Sequence, residues 1–240
     1  TGDFAIVQAA RVSYGEGTKQ VSEDRGLVRY LMRHRHSTPF EMVEFKFHIA
    51  MPIFVARQWI RHRTANVNEY SARYSIVPDR FYRPGVDAIR KQSKSNRQGG
   101  DEPIDAGTAE DFLHLLEKAE ALYQEYLGLT ERGVARELAR AALPVSVYTE
   151  WYWKCDLHNI FHFLSLRMDP HAQLEIQVFA KAMYEMLKPI VPVAAEAFED
   201  YRLGAMQLTR LEALRTGAPL ATENKREIAE WEAKKAQLGR

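Results

Sequence analysis

The chain has 240 residues, 46% of them hydrophobic, and a formal net charge of +1. That apolar share supports a buried core and excludes a globally disordered chain, and the length suits a single domain over 1–240. The near-neutral balance excludes the general basic field that broad nucleic-acid binding needs, and no apolar run approaches the roughly 20 residues that cross a bilayer.

The first predicted element is a helix over 22–35. Ser22 can cap it, Glu23 and Asp24 sit in its first turn, and Leu27 and Leu31 are four apart. Arg33, His34 and Arg35 fall in its last turn, where the helix dipole favours cations. Pro39 in "STPFE" ends it. "MVEFKFHIA" (42–50) then alternates, with Val43, Phe45, Phe47 and Ile49 on one side and Glu44, Lys46 and His48 on the other, which predicts a half-buried strand. Pro52 suits the first turn of a helix over 52–63 that would place Gln58, Arg61 and His62 on one face.

Residues 84–107 are polar and carry Pro84, Gly99, Gly100 and Pro103, so they read as a loop or insertion. "TAED" (108–111) resembles a capping box, and Phe112, Leu115, Leu116, Ala119, Leu122 and Tyr123 follow at helical spacing until Gly133. A short helix over 134–142 stops before Pro144. "VSVYTEWYW" (145–153) alternates as a second strand, and helices are expected over 157–167 and 171–188. Pro189 and Pro192 break the pattern, and the tail after about 205 ends in a charged helix with Thr222 as its cap.

Several chemical readings compete. "GEGTKQ" (15–20) starts like a dinucleotide loop but ends in Gln20 and lacks a βαβ context. His158 and His162 are four apart on a predicted helix, yet the glutamate of a zinc-protease helix is absent, so no metal is expected. The single cysteine, Cys155, leaves no intrachain disulfide, which fits a cytoplasmic chain. Lys154 beside it could activate a thiol, but a lone cysteine is usually a packing residue. The N-terminus lacks a basic-then-apolar signal pattern, and it opens at Thr1 rather than Met, as expected of a trimmed or processed chain.

The strongest signal is "RQWIRHRTANVNEYSARYS" (57–75), with arginines at 57, 61, 63 and 73 in an otherwise balanced protein. Arginine forks match pairs of phosphate oxygens, and Ser71, Asn68 and Glu69 can read a nucleotide's hydroxyl or amide edges. The physics alone points to a phosphorylated small molecule.

The same stretch resembles the signature of the flavin-dependent thymidylate synthases: Arg61, His62, Arg63, seven residues, then Ser71. "AARVSY" (9–14), "HSTPFE" (36–41), "PIFVARQW" (52–59), "ARAALP" (139–144) and "FLSLRMDPHAQLEIQ" (163–177) resemble the family in the same order, over about residues 9–200. The resemblance implies an α/β fold of the α+β type, an antiparallel sheet flanked by helices, in a homotetramer with shared active sites. It implies reductive methylation of dUMP to dTMP with FAD, methylene-tetrahydrofolate and NADPH. Carried over by motif, Gln58, Arg61, Glu69, Ser71, Arg73 and Arg140 would hold dUMP, and Arg167 would bind the uracil edge and act catalytically. Ser13, Thr38, Arg61, His62, Arg63, Glu69, Asp156, Leu157, His158 and His162 would meet FAD, with His36 near flavin and folate. The chain departs from the family at Asn66, where many members have Ser, and at Asp156 and His162, where Asn is frequent. A ligand-binding regulator without turnover and a cysteine-dependent synthase remain the alternatives.

Overall fold

The protein is described from a computed structural model, which covers residues 2–12, 24–94, 99–213 and 222–238. Ser13, the 15–20 loop and the Ser22 cap lie outside the described residues. Helices α1 (Asp3–Arg11), α2 (Asp24–Arg33) and the single turn α3 (Thr38–Glu41) precede strand β1 (Glu44–Pro52). Helix α4 (Ile53–Trp59) and strand β2 (Asn66–Glu69) follow, then a hairpin of β3 (Arg90–Gln92) and β4 (Gly100–Pro103). Next come α5 (Ala106–Glu131), α6 (Arg136–Ala139), β5 (Tyr148–Asp156), α7 (Leu157–Arg167), α8 (Leu174–Leu187) and α9 (Pro192–Phe198). A π-helical turn (Glu199–Leu203), α10 (Arg210–Ala213) and α11 (Lys225–Gln237) complete the described chain.

The main sheet has three antiparallel strands in the order β1-β5-β2. Its register places Phe45 opposite Cys155, Phe47 opposite Trp153 and Ile49 opposite Trp151, so the apolar positions of both long strands share one face. Helices α4 and α7 cover that face, and α8 packs on both. There Trp59, the last residue of α4, stacks on Phe163 of α7 at 4.6 Å and meets Trp151 and Trp153 edge-on at 5.9 and 5.7 Å. The other face carries the stacked pair His48–Tyr152 and the Lys154–Glu44 ion pair. A smaller core gathers Val77, Tyr123, Tyr126, Ala139 and Val147 under α5. Among the described residues, no helix is long and apolar enough to cross a membrane.

The strands and helices shift from their predicted limits for identifiable reasons. β1 runs to Pro52, which an edge strand tolerates because its missing N–H is not needed in the ladder. β5 starts three residues later than expected and continues the alternation to a buried Cys155. α4 stops at Trp59 rather than 63 because the N–H groups of Arg61 and His62 fall back to the i−3 carbonyls of Gln58 and Trp59. The 84–107 region holds the β3–β4 hairpin and a 3₁₀ turn at Val86–Ala88. α5 is capped by Asp105, whose carboxylate accepts from the Thr108 N–H, so Thr108 is inside the helix rather than at its cap. α11 is capped by Asn224, not Thr222, whose hydroxyl bonds Glu227 instead. The expected 134–142 helix splits into α6 and a 3₁₀ turn at Arg140–Ala142, and 171–188 narrows to α8.

Helices α1, α3 and α9 were not expected. Pro192, read as a breaker, is the first residue of α9. The buried Asp3 carboxylate of α1 accepts from the N–H groups of Val193 and Ala194 at 3.1 and 2.9 Å and so ties the N-terminal helix to that first turn.

α5 ends in a Schellman motif: Gly133 has φ +92°, its N–H donates to Thr130 O, and Val134 N–H donates to Leu129 O. A Cβ at that φ is strained by about 1–2 kcal/mol. Gly133→Ala should therefore lower the melting temperature by about 2–8 °C. Differential scanning calorimetry showing no change would remove the motif from the account of helix termination.

Candidate functional site

α7 is the element that organises the site. Asp156 caps it, with one carboxylate oxygen accepting from the Asn159 N–H at 2.9 Å and the other from the Asn159 amide at 2.7 Å. Asn159 Oδ1 in turn accepts from Thr64 Oγ1 at 2.9 Å, and the Cys155 thiol donates to Thr64 O at 3.2 Å. Thr64 follows Arg61, His62 and Arg63, so these bonds pin the signature turn to β5 and to the start of α7. Cys155 is buried, and burial pushes its thiol up to about 12, the reverse of an activated nucleophile. The cysteine acts in the packing of the turn.

At the other end of α7, the Arg167 Nε–H donates to His62 Nε2 at 3.0 Å. That bond requires an unprotonated Nε2 on His62. Burial, then the charges of Arg167 and His162, lower the His62 pKa to about 4, so the ring is neutral near pH 7. Burial also lowers the Arg167 pKa, but from a value so high that the guanidinium keeps its charge. His62 packs edge-on against Phe163 at 4.9 Å and lies 6.2 Å from the His162 ring. The neutral imidazole thus fixes one edge of Arg167 and leaves its terminal amines without a protein partner among the described residues.

Beside this pair lies a pocket of about 170 Å³ between α2, α3, α7 and the π-helical turn. It is lined by Met32, Phe40, Phe161 and Phe198 and by Arg35, His36, His158, His162, Ser165 and Arg202, with no carboxylate. Apolar walls with cations and imidazoles fit an aromatic, electron-rich or anionic ligand. His36, His158 and His162 were expected here; Arg35 and Arg202 were not. Arg202 sits on a π-helical turn that no sequence pattern announced. Arg35 was read only as a cation in a helix's last turn.

The remaining expected residues fall into other settings. Ser71, Arg73 and Tyr74 form a turn after β2, with Arg73 over the Tyr74 ring at 5.3 Å and Arg136 donating to Tyr74 O at 2.9 Å. Arg140 lies in the 3₁₀ turn that follows α6. Glu69 accepts from the buried Thr149 hydroxyl at 2.7 Å. Gln58 Oε1 is buried without a hydrogen-bond partner in the protein. Arg61, Arg63 and Thr38 are exposed. Leu157 offers no free group: its side chain is in the core and its N–H donates to Val43 O at 2.8 Å. The expectation that Gln58, Arg61 and His62 share a helical face does not hold, because α4 ends before Arg61 and His62. Asn68 and Glu69 lie on β2. Among the described residues, no group of three or more His, Cys, Asp or Glu side chains could hold a metal ion.

Together, the antiparallel sheet with its helical cover and the cationic pocket define a mixed α/β protein with a site that fits an aromatic or anionic ligand. The family described as thymidylate synthase complementing protein matches residues 1–193. A flavin-dependent thymidylate synthase from Dictyostelium discoideum is 63% identical over 240 residues, spanning 99% of this chain and 79% of that protein. One from Gluconobacter oxydans is 62% identical over 211 residues, spanning 86% of this chain and 70% of that one. The crystal structure of the UMP/dUMP methylase PolB from Streptomyces cacaoi, bound with 5-Br dUMP, superimposes with a TM-score of 0.75. It is 36% identical and covers 84% of this chain and 92% of its own. The chain belongs to the flavin-dependent thymidylate synthases, a family of methyltransferases.

The His62 environment makes a pH prediction. Its folded pKa of about 4 lies below the ordinary value of 6.5, so the unfolded chain binds more protons between them. Stability contributed by neutral His62 is therefore present above about pH 6.5 and is lost as pH falls towards 4. The melting temperature of the ligand-free protein should drop over that window, and His62→Gln should flatten the drop. Equal slopes for the two proteins would remove His62 as the buried neutral group.

Proposed function

We propose that the protein methylates carbon 5 of dUMP reductively to give dTMP, with FAD as cofactor, methylene-tetrahydrofolate as one-carbon donor and NADPH as reductant. The observation that carries this reading is Arg167, held at 3.0 Å by a neutral His62 with its terminal amines unpaired. A fixed guanidinium edge matches the planar edge of uracil. Set beside N3, it stabilises the ionised base, and the added electron density makes carbon 5 a better nucleophile without a protein thiol. The raised Cys155 pKa supports that route over a cysteine-dependent one.

In this reading Gln58, Arg61, Glu69, Ser71, Arg73 and Arg140 bind dUMP, the arginines on its phosphate and Gln58 through its unpaired Oε1. Bound FAD would supply the hydride that completes the methyl group. The chain would hold it through Thr38, Arg61, His62, Arg63, Glu69, Asp156, His158 and His162, with Ser13 completing the set; Leu157, buried and with its N–H spent on Val43 O, drops out of it. The aromatic walls and carboxylate-free lining of the pocket support this placement. A homotetramer with shared sites fits the exposed apolar residues Leu115, Leu138, Val178 and Met186, at 60%, 68%, 59% and 59% exposure.

The direct test is chromatographic detection of dTMP from dUMP, methylene-tetrahydrofolate and NADPH with FAD-loaded protein. Tight dUMP binding without product would favour the regulator alternative. Two variants test the mechanism with chemically reduced flavin. Arg167→Ala should keep FAD yet lose about a hundred- to a thousandfold in rate, the usual effect of removing one fixed donor from a developing anion. Cys155→Ala should keep most of its rate. A dead Cys155→Ala beside an active Arg167→Ala would overturn the mechanism.

A further inference from the structure

The pocket beside α7 contains two cations that the reading above leaves unused. Arg35 and Arg202 both line it. Neither makes a hydrogen bond or ion pair with a carboxylate among the described residues, unlike Arg25 and Arg29 of α2. Arg25 and Arg29 pair with Glu196, and Arg29 also with Asp200 at 2.6 Å. The carboxylates nearest Arg202 in sequence are likewise committed: Glu199 bonds Tyr184 at 2.7 Å and Lys188 at 2.9 Å, and Asp200 holds Arg29.

Each of the two sits on an irregular backbone. Residues Glu199–Leu203 form a π-helical turn, closed by the Gly204 N–H on Glu199 O at 2.8 Å. The extra residue in that turn changes which side chains share a face. Glu199 and Asp200 are spent on Lys188 and Arg29, while Arg202 lines the pocket. Arg35 has φ 60°, the only positive φ outside glycine among the described residues. It occupies the position after α2 where a Schellman motif favours glycine: its N–H donates to Met32 O and the His36 N–H to Leu31 O. Glycine would close that helix with less strain. An arginine there is useful for its side chain, and that side chain faces the pocket.

We infer that Arg35 and Arg202 form an anion subsite at the rim of the histidine pocket, which takes a phosphate or carboxylate group of a bound ligand. The inference rests on the functional reading above and extends it to two residues with no role there. Burial, and then the charge of Arg35, lower the Arg202 pKa, as two like charges in one partly closed space require. An entering anion relieves that repulsion and finds two forked donors. Two ligands of the reaction bring such a group: the phosphates of FAD, or a carboxylate on the glutamate of the folate.

The assembled protein, stripped of flavin, separates them. Arg202→Gln and Arg35→Gly are compared with wild type for FAD and riboflavin affinity by fluorescence and, after reloading with saturating FAD, for KM with methylene-tetrahydrofolate. A phosphate subsite predicts FAD affinity weakened about tenfold to a hundredfold in both variants, the range for a charge-assisted bond, with riboflavin unchanged. A carboxylate subsite predicts unchanged FAD affinity and a similar rise in folate KM, absent with an analogue that lacks the glutamate. Arg35→Gly should also raise the melting temperature by about 2–4 °C, which keeps the test informative if Arg202→Gln folds poorly. Wild-type affinity for both ligands in both variants would overturn the subsite alone. Wild-type protein that takes up neither ligand would overturn the functional reading as well.

Discussion

The packing of Trp59 against Trp151, Trp153 and Phe163 is the contact on which the site depends. Trp59 closes α4 immediately before the signature turn, and Phe163 lies on α7 between His162 and Arg167. Whatever fixes these rings fixes the distance between the signature turn and the α7 residues His162 and Arg167 that lie beside His62. The indole nitrogens of Trp59, Trp151 and Trp153 are buried without partners. Each unmet donor costs about 1–3 kcal/mol. Each indole also buries about 150–250 Å², which at about 25 cal/mol/Å² is worth roughly 4–6 kcal/mol. The apolar term wins, so the cluster is stable although its polar atoms are unmet.

That cluster explains what was legible in the sequence. β1 and β5 carry large apolar side chains at every second position, because one face of each packs on these rings. α7 was visible to its limits, because Asp156 caps it and its buried residues recur at helical spacing. β2 was not visible. It has four residues, one apolar, and exists because β5 offers a free edge. The caps of α5 and α11 were misplaced for a related reason. Asp105 competes with Thr108, and Asn224 with Thr222, and backbone geometry decides which oxygen reaches an N–H. Pro192 reads as a breaker in isolation, but Asp3 supplies acceptors that make it a helix start.

The site divides along the same line. Residues whose candidacy rests on local chemistry, such as the arginines and Ser71 of the signature, can be nominated from type and spacing. The residues that hold them were not, because their partners are far away in sequence. Thr64 meets Asn159 and Cys155 across more than 90 positions, and Thr149 meets Glu69 across 80. Arg202 reaches the pocket only because a π-helical turn replaces an ordinary one.

The electrostatics of α7 tie packing to chemistry. Its N-terminus is capped by the Asp156 carboxylate, and Arg167 lies in its last turn, so both charges complement the helix dipole. A cation at that end is favoured even when burial works against it. A second cation would not be, and His62 faces Arg167 directly. The ring answers burial and repulsion together by staying neutral, and a neutral Nε2 is an acceptor. The group that would have repelled Arg167 therefore orients it. In the neighbouring pocket the two arginines cannot answer in that way, so at Arg35 and Arg202 the charge is left for a ligand.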